Sequence, residues 1–220
     1  MAGVCACTAT AYYPFNGNTL DYTGNAHTIT ATNVTSVAGK LGTAFSFNGT
    51  TSLMTIAGSL ALTDNRTFCA WINPTGWTGL GRPVFVGGVS GAGDFLSIES
   101  TNPGGACAAT SPNGMFLDHW GASCGTTTEV APSNTWSFVC YAANGAASTE
   151  FFVNGTSTAD AIGLFTYNLD TVTVGSNTIG GTTNATAVLG VIDEVSLWNR
   201  TLTLAEMNQL YTGTPVCALQ

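Results

Sequence analysis

Three groups of side chains in this 220-residue chain have types and spacings that could do chemistry. Asn16, Asn18, Asp21 and Asn25 crowd one glycine-punctuated stretch with Gly17 and Gly24. That loop offers carboxylate, amide and backbone oxygens, the donors of which calcium takes about six to eight. The second group is the acidic pair Asp193-Glu194 inside the apolar pattern Val191, Val195, Leu197, where burial without partners would be costly. Being adjacent on a strand, the two are expected on opposite faces. The third group is aromatic: Trp77 in Gly76-Trp-Thr-Gly-Leu-Gly-Arg82, and Asp118-His119-Trp120. Sugars stack on exposed rings while nearby carboxylates and amides bond their hydroxyls. Trp77, Asp118, His119 and Trp120 are therefore the candidate ligand contacts, against the plainer roles of a loop anchor for Trp77 and a structural imidazole for His119.

Other chemistries find little footing. The seven cysteines (Cys5, Cys7, Cys69, Cys107, Cys124, Cys140 and Cys217) form none of the paired CxxC spacings of a zinc ribbon. A catalytic thiol needs an activating imidazole, and His27 and His119, the only two histidines, sit in no such context. The net charge of −8 and the scattering of Lys40, Arg66, Arg82 and Arg200 argue against a phosphate-backbone partner. No apolar run is long enough to span a membrane. Nor does Met1-Ala-Gly-Val-Cys-Ala-Cys7 read as a secretory leader, lacking a basic start and a long apolar stretch. Only 7% of residues are charged, which gives a polar, nearly uncharged surface suited to neutral sugars or to neighbouring protein subunits.

The elements that must position these groups are strands. Short β-rich runs alternate with turn clusters about every ten residues. Strands are expected near Tyr12–Phe15, Thr28–Ala31, Ala44–Phe47, Leu53–Ile56, Phe68–Asn73, Val84–Gly87, Phe95–Glu99, Gly114–Trp120, Trp136–Ala142, Thr149–Val153, Val172–Gly175 and Val188–Trp198. Asn154-Gly155 between two such runs signals a type I′ hairpin, and Asn48-Gly49 is read the same way. In Phe68-Cys-Ala-Trp-Ile72, Phe68, Ala70 and Ile72 oppose Cys69 and Trp71. Phe15, Trp71, Trp136 and Trp198 are expected in the core. A helix follows at Leu204–Tyr211, with Thr203 and Glu206 spaced as a capping box and Leu202 and Met207 as a hydrophobic staple. The chain reads as one domain, 1–220, with its core at about 12–211.

Five segments in order resemble the concanavalin A-like, laminin-G-like superfamily: Tyr13-Pro-Phe-Asn-Gly-Asn18, Gly39-Lys-Leu-Gly-Thr-Ala-Phe-Ser-Phe-Asn-Gly49, Phe68-Cys-Ala-Trp-Ile-Asn-Pro74, Trp136-Ser-Phe-Val-Cys-Tyr141 and Ile192-Asp-Glu-Val195 with its Asn199-Arg200 turn. Asn48 stands where the family usually has Asp. The resemblance implies an all-β, two-sheet antiparallel jelly-roll sandwich closed by one short C-terminal helix. It also implies a structural calcium where the first loop meets the last strand, held by Asp21 and Asp193 with carbonyls near Asn18 and Gly24. Pentraxins, a branch of this superfamily, carry a bridge between strands that resemble those of Cys69 and Cys140. Since the ends of a jelly roll lie together, Cys217 is expected to join Cys5 or Cys7, Cys5 being the pairing adopted. Cys107 and Cys124 flank one segment and could staple it; oxidised cysteines imply an extracellular life.

Glucanases sharing this fold carry Glu-x-Asp-x-x-Glu on one strand. Here Glu99, Glu129, Glu150, Glu194 and Glu206 are isolated from one another, so no enzyme is expected. The expected role is a non-catalytic recognition module for a glycan, a cell-surface polysaccharide or another exposed surface. The alternative is a homo-oligomeric decoration subunit on a virus particle or similar assembly.

Overall fold

The computed structural model describes residues 7–56, 58, 60–75, 80–87, 93–99, 114–119, 123–145, 148–160, 171–176, 178–179, 182–183 and 187–219. The first strands are β1 (Ala11–Tyr13), β2 (Ile29–Thr32), β3 (Thr35–Ala38), β4 (Thr43–Asn48), β5 (Leu53–Ile56) and β6 (Asn65–Pro74). Then come β7 (Leu80–Gly87), β8 (Gly93–Glu99), β9 (Gly114–His119), β10 (Ser123–Val130), β11 (Ser137–Asn144) and β12 (Ser148–Val153). The last are β13 (Thr156–Asp160), β14 (Thr171–Val174), β15 (Thr178–Ile179), β16 (Thr182–Thr183) and β17 (Leu189–Trp198). Helix α1 (Leu204–Tyr211) and a 3₁₀ turn (Val216–Ala218) end the chain.

All pairings in the two large sheets are antiparallel. One sheet has eight strands, in the order β13-β12-β11-β6-β17-β4-β3, with β1 pairing β17 beside that path. The other has seven, in the order β10-β9-β8-β7-β14-β5-β2. Alternation along each strand divides their side chains between faces. Phe68, Ala70, Ile72, Val139 and Tyr141 meet Ile29, Met54, Ile56, Val172 and Val174 between the sheets. The opposite residues of β6 and β11, Cys69, Trp71, Phe138 and Cys140, form a second cluster on the outer face of the eight-stranded sheet. Met207 and Leu210 of the helix cover it, with Leu202, Val216 and Leu219. This is the expected jelly-roll sandwich with its closing helix.

Local signals explain how the ends are pinned. Glu206 N–H donates to Thr203 Oγ1 at 3.3 Å and Thr203 N–H to Glu206 Oε2 at 2.7 Å, so the capping box forms as spaced. Buried Leu202 and Met207 supply the staple. Asn154 and Gly155 both have positive φ, as a type I′ hairpin requires. Asn48-Gly49 does not repeat this: only Gly49 has positive φ. Asn48 Oδ1 instead accepts the N–H groups of Thr50, Thr51 and Ser52, a side-chain-capped turn that competes with the two-residue hairpin. Phe15, Trp71 and Trp198 are buried, while Trp136 is only partly so.

Cys69 and Cys140 are direct partners across β6 and β11 and are joined by a disulfide. Cys217 is bonded to Cys7, a correction to the pairing with Cys5. Thr8 Oγ1 donates to the Leu219 carbonyl, which sets Cys7 rather than a residue further out opposite the C-terminal turn. Cys5, Cys107 and the side chain of Cys124 lie outside the described residues.

Candidate functional site

Strand β17 changes neighbours midway, and the acidic pair sits at the change. Leu189 to Ile192 pair with β4, and Val195 to Leu197 pair with β1. Against β6 the register slips between Asp193 and Ser196, and Glu194 adopts φ +53°, the left-handed conformation rare outside glycine. Ile192 and Val195 both enter the core between the sheets, although strict alternation would separate residues three apart. The bulge therefore turns Asp193 and Glu194 outward together, and the expectation of opposite faces is overturned by the extra residue.

The two carboxylates then serve different ends. Asp193 Oδ2 accepts the N–H groups of Lys40 (2.9 Å) and Leu41 (3.1 Å), and its Oδ1 accepts Glu194 N–H. Burial pushes Asp193 up to about 6, with these three amides pulling the other way. Glu194 Oε2 accepts the Tyr12 hydroxyl. Burial lifts Glu194 to about 7, opposed by the Tyr12 bond and assisted by the charge of Asp193. The same burial, with the Glu194 bond, raises the Tyr12 hydroxyl.

Glu194 opens onto a cleft of about 290 Å³ between the eight-stranded sheet and the C-terminal segment. Trp71 and Phe138 (ring centroids 5.3 Å apart) and Tyr211 (5.9 and 6.1 Å from them) wall it. Lys40 Nζ stands 4.2 Å from the centre of the Trp71 ring. Sequence reasoning missed this cleft because its residues come from β1, a loop, β6, β11, β17 and α1.

The opening loop is organised round Asp21. Its Oδ1 accepts Tyr12 N–H, Thr23 N–H and the Thr23 hydroxyl, and its Oδ2 accepts His27 N–H. Asn18 Oδ1 caps Leu20 N–H, and Gly24 has φ +88°. Every carboxylate oxygen of Asp21 and Asp193 thus already accepts an N–H group. That donor set anchors the two loops. Among the described residues, no three His, Cys, Asp or Glu side chains cluster as a metal site.

On the seven-stranded sheet the ladder sorts the predicted contacts. Thr30, Thr55, Thr173, Phe85, Phe95 and Asp118 are successive cross-strand partners in one row. The next row carries Ile29, Ile56, Val172, Val86, Asp94 and His119, and its Ile29, Ile56 and Val172 belong to the core. The register thus makes Asp118 the cross-strand partner of Phe95 and Phe95 that of Phe85, while His119 is paired with Asp94. Trp77 and Trp120 lie outside the described residues.

Comparison with known proteins agrees with this architecture. A family model described as the concanavalin A-like lectin/glucanases superfamily matches residues 47–208. Domain 4 of AbnA, an extracellular GH43 arabinanase from Geobacillus stearothermophilus solved with arabinotriose, superposes at TM-score 0.73 and 20% identity, over 94% of this chain and 99% of that one. The receptor binding domain of botulinum neurotoxin type G gives 0.68 and 15%, over 93% of this chain and 51% of that one. The binding domain of Paraclostridial Mosquitocidal Protein 1 gives 0.69 and 14%, over 94% and 52%. The chain thus spans about half the length of these toxin domains. No curated protein matches it in sequence. With its two antiparallel sheets, closing helix and a family match over most of its length, the chain belongs to the concanavalin A-like lectin/glucanase superfamily.

Proposed function

We propose that the chain is a non-catalytic recognition module that binds a glycan on the outer face of the seven-stranded sheet. The observation that carries this reading is the ladder register that makes Phe85, Phe95 and Asp118 successive cross-strand neighbours. Two ring systems beside a carboxylate are the elements of sugar recognition: stacking for the apolar face of the ring, an acceptor for its hydroxyls. Asp118 is thus joined by two phenylalanines in the register. The solved neighbour holding arabinotriose and the receptor-binding toxin domains support a binding role.

The non-catalytic part of this reading draws support from the acidic pair: Asp193 is turned into backbone amides, so Asp193 and Glu194 do not form the facing pair that glycoside hydrolysis uses. Two disulfides support an extracellular location. Calcium is not needed for this reading. The alternative, a decoration subunit on a virus particle or similar assembly, draws support from the chain's low charge.

A glycan array followed by calorimetry on the best binder tests the proposal. Phe95→Ala and Asp118→Ala should each weaken binding about tenfold or more while leaving the circular dichroism spectrum unchanged. Undiminished binding in both variants would sink the assignment. A chain that binds no glycan but self-associates through interfaces of well over about 1,000 Å² would favour the assembly role.

A further inference from the structure

The cleft under the C-terminal helix lies on the other sheet from the proposed sugar face, and nothing in the sugar reading uses it. It has three properties that together specify a ligand. Its carboxyl is buried: Glu194 is 9% exposed, and among the described residues its side-chain partner is the neutral Tyr12 hydroxyl. A carboxylate withdrawn from water and lacking a cation is a standing electrostatic deficit. Its walls are aromatic, with Trp71, Phe138 and Tyr211 in mutual contact. Those walls also already hold an ammonium, since Lys40 Nζ rests 4.2 Å from the Trp71 ring centre instead of on the carboxylate. At about 290 Å³ the cleft is small for a ligand pocket.

We propose that this cleft binds a small organic ammonium compound, its cationic head between Glu194 and the rings of Phe138 and Tyr211 and its apolar body against Leu210 and Val216. The physical reasons are those that favour cations in such places. Aromatic faces attract a positive charge through the ring quadrupole, more strongly as water is removed. A carboxylate in the same partly desolvated space adds Coulomb attraction that water and salt weaken less than at the open surface. The net charge of −8 draws cations toward the molecule as a whole. Lys40 is the opposing element: its charge at the rim repels a second cation and covers one face of Trp71. Removing it should therefore improve binding.

The test compares choline with 3,3-dimethyl-1-butanol, its uncharged carbon isostere, by ligand-observed NMR and calorimetry on the intact, oxidised chain. Choline should bind at least about tenfold more tightly than the alcohol. Glu194→Gln, which keeps an oxygen for Tyr12, should erase that difference. Lys40→Met, a change at an exposed rim residue, should tighten choline several-fold without altering the alcohol. Equal affinity for both probes, no choline binding at millimolar concentration, or an unchanged preference in Glu194→Gln would each overturn the proposal. Should Glu194→Gln fail to fold, the Lys40→Met result decides: weaker choline binding there counts against it. Sugar binding at Phe95 and Asp118 is read separately, so failure at one site leaves the other measurable.

Discussion

The outer faces of the two sheets are built from different residues. On the eight-stranded sheet the chain covers its own surface: α1, Leu202 and the segment to Leu219 bury Trp71, Phe138 and Trp198. On the seven-stranded sheet the described part of the row opposite the core is threonine: Thr30 is exposed, Thr55 half-buried, and Thr173 buried with its hydroxyl donating to the Ser176 carbonyl. One outer face is apolar and is closed by the chain's own helix; the described part of the other is polar, and its buried threonine is satisfied by a local hydrogen bond. The contrast teaches that aromatic content by itself does not locate a binding face; the register and the cover must both be known.

The largest effect that could break this contrast lies under the helix. Replacing Cys69 and Cys140 together by alanine removes a bridge spanning 71 positions and should lower stability by about 3 kcal/mol, read from urea unfolding. Glycan affinity at the seven-stranded sheet should stay within about twofold, since the bridge lies on the far side of the core. A matching loss of affinity would show that the two faces are not independent.

A smaller effect belongs to the acidic pair. Asp193 and Glu194 have their carboxyls raised on folding to about 6 and about 7. Between its ordinary value and its folded value, each group holds more proton in the native state than in the unfolded state. Stability from these two groups is therefore greatest at mildly acid pH and declines as pH rises through 6 and 7. After allowance for solvent screening the decline should be about 1–2 kcal/mol between about pH 5 and about pH 8. Denaturant titrations at the two pH values measure it, and Glu194→Gln should flatten the slope. A rise in stability over that interval would mean that the pair has found cations.

The smallest effect is expected from calcium. With amide donors already on all four carboxylate oxygens of Asp21 and Asp193, added calcium or a chelator should shift Tm by less than about 1 °C. A larger shift would show that the loops rearrange to take the ion.

How much could be read in advance depended on burial. Strands with one apolar face, such as Phe68–Ile72 and Phe138–Tyr141, were legible because alternation reports a half-buried ladder. The helix was legible from its cap and staple. Strand β3 was not: Thr35–Ala38 is built of small and mostly polar residues, has no fully buried position and leaves no apolar period, and β13 (Thr156–Asp160), equally without a buried position, was signalled only by its Asn154-Gly155 turn. The bulge at Glu194 was invisible for a sharper reason. Counting parity assumes that no residue is added to the ladder, and one residue at φ +53° reverses every face that follows. The cleft was unreadable because Tyr12, Lys40, Trp71, Phe138, Glu194 and Tyr211 meet only in three dimensions. The pairing of Asp118 with Phe95 was hidden likewise, since it depends on which strands become neighbours.

The Cys7–Cys217 bond closes a ring over 210 positions, and with it the path of mechanical load. A pull applied at the two chain termini would pass from one sulfur to the other and never reach the strands between them. Whatever tether, stalk or neighbour holds this molecule by its termini could be under tension while both sheets, and any ligand seated on them, feel almost none of it.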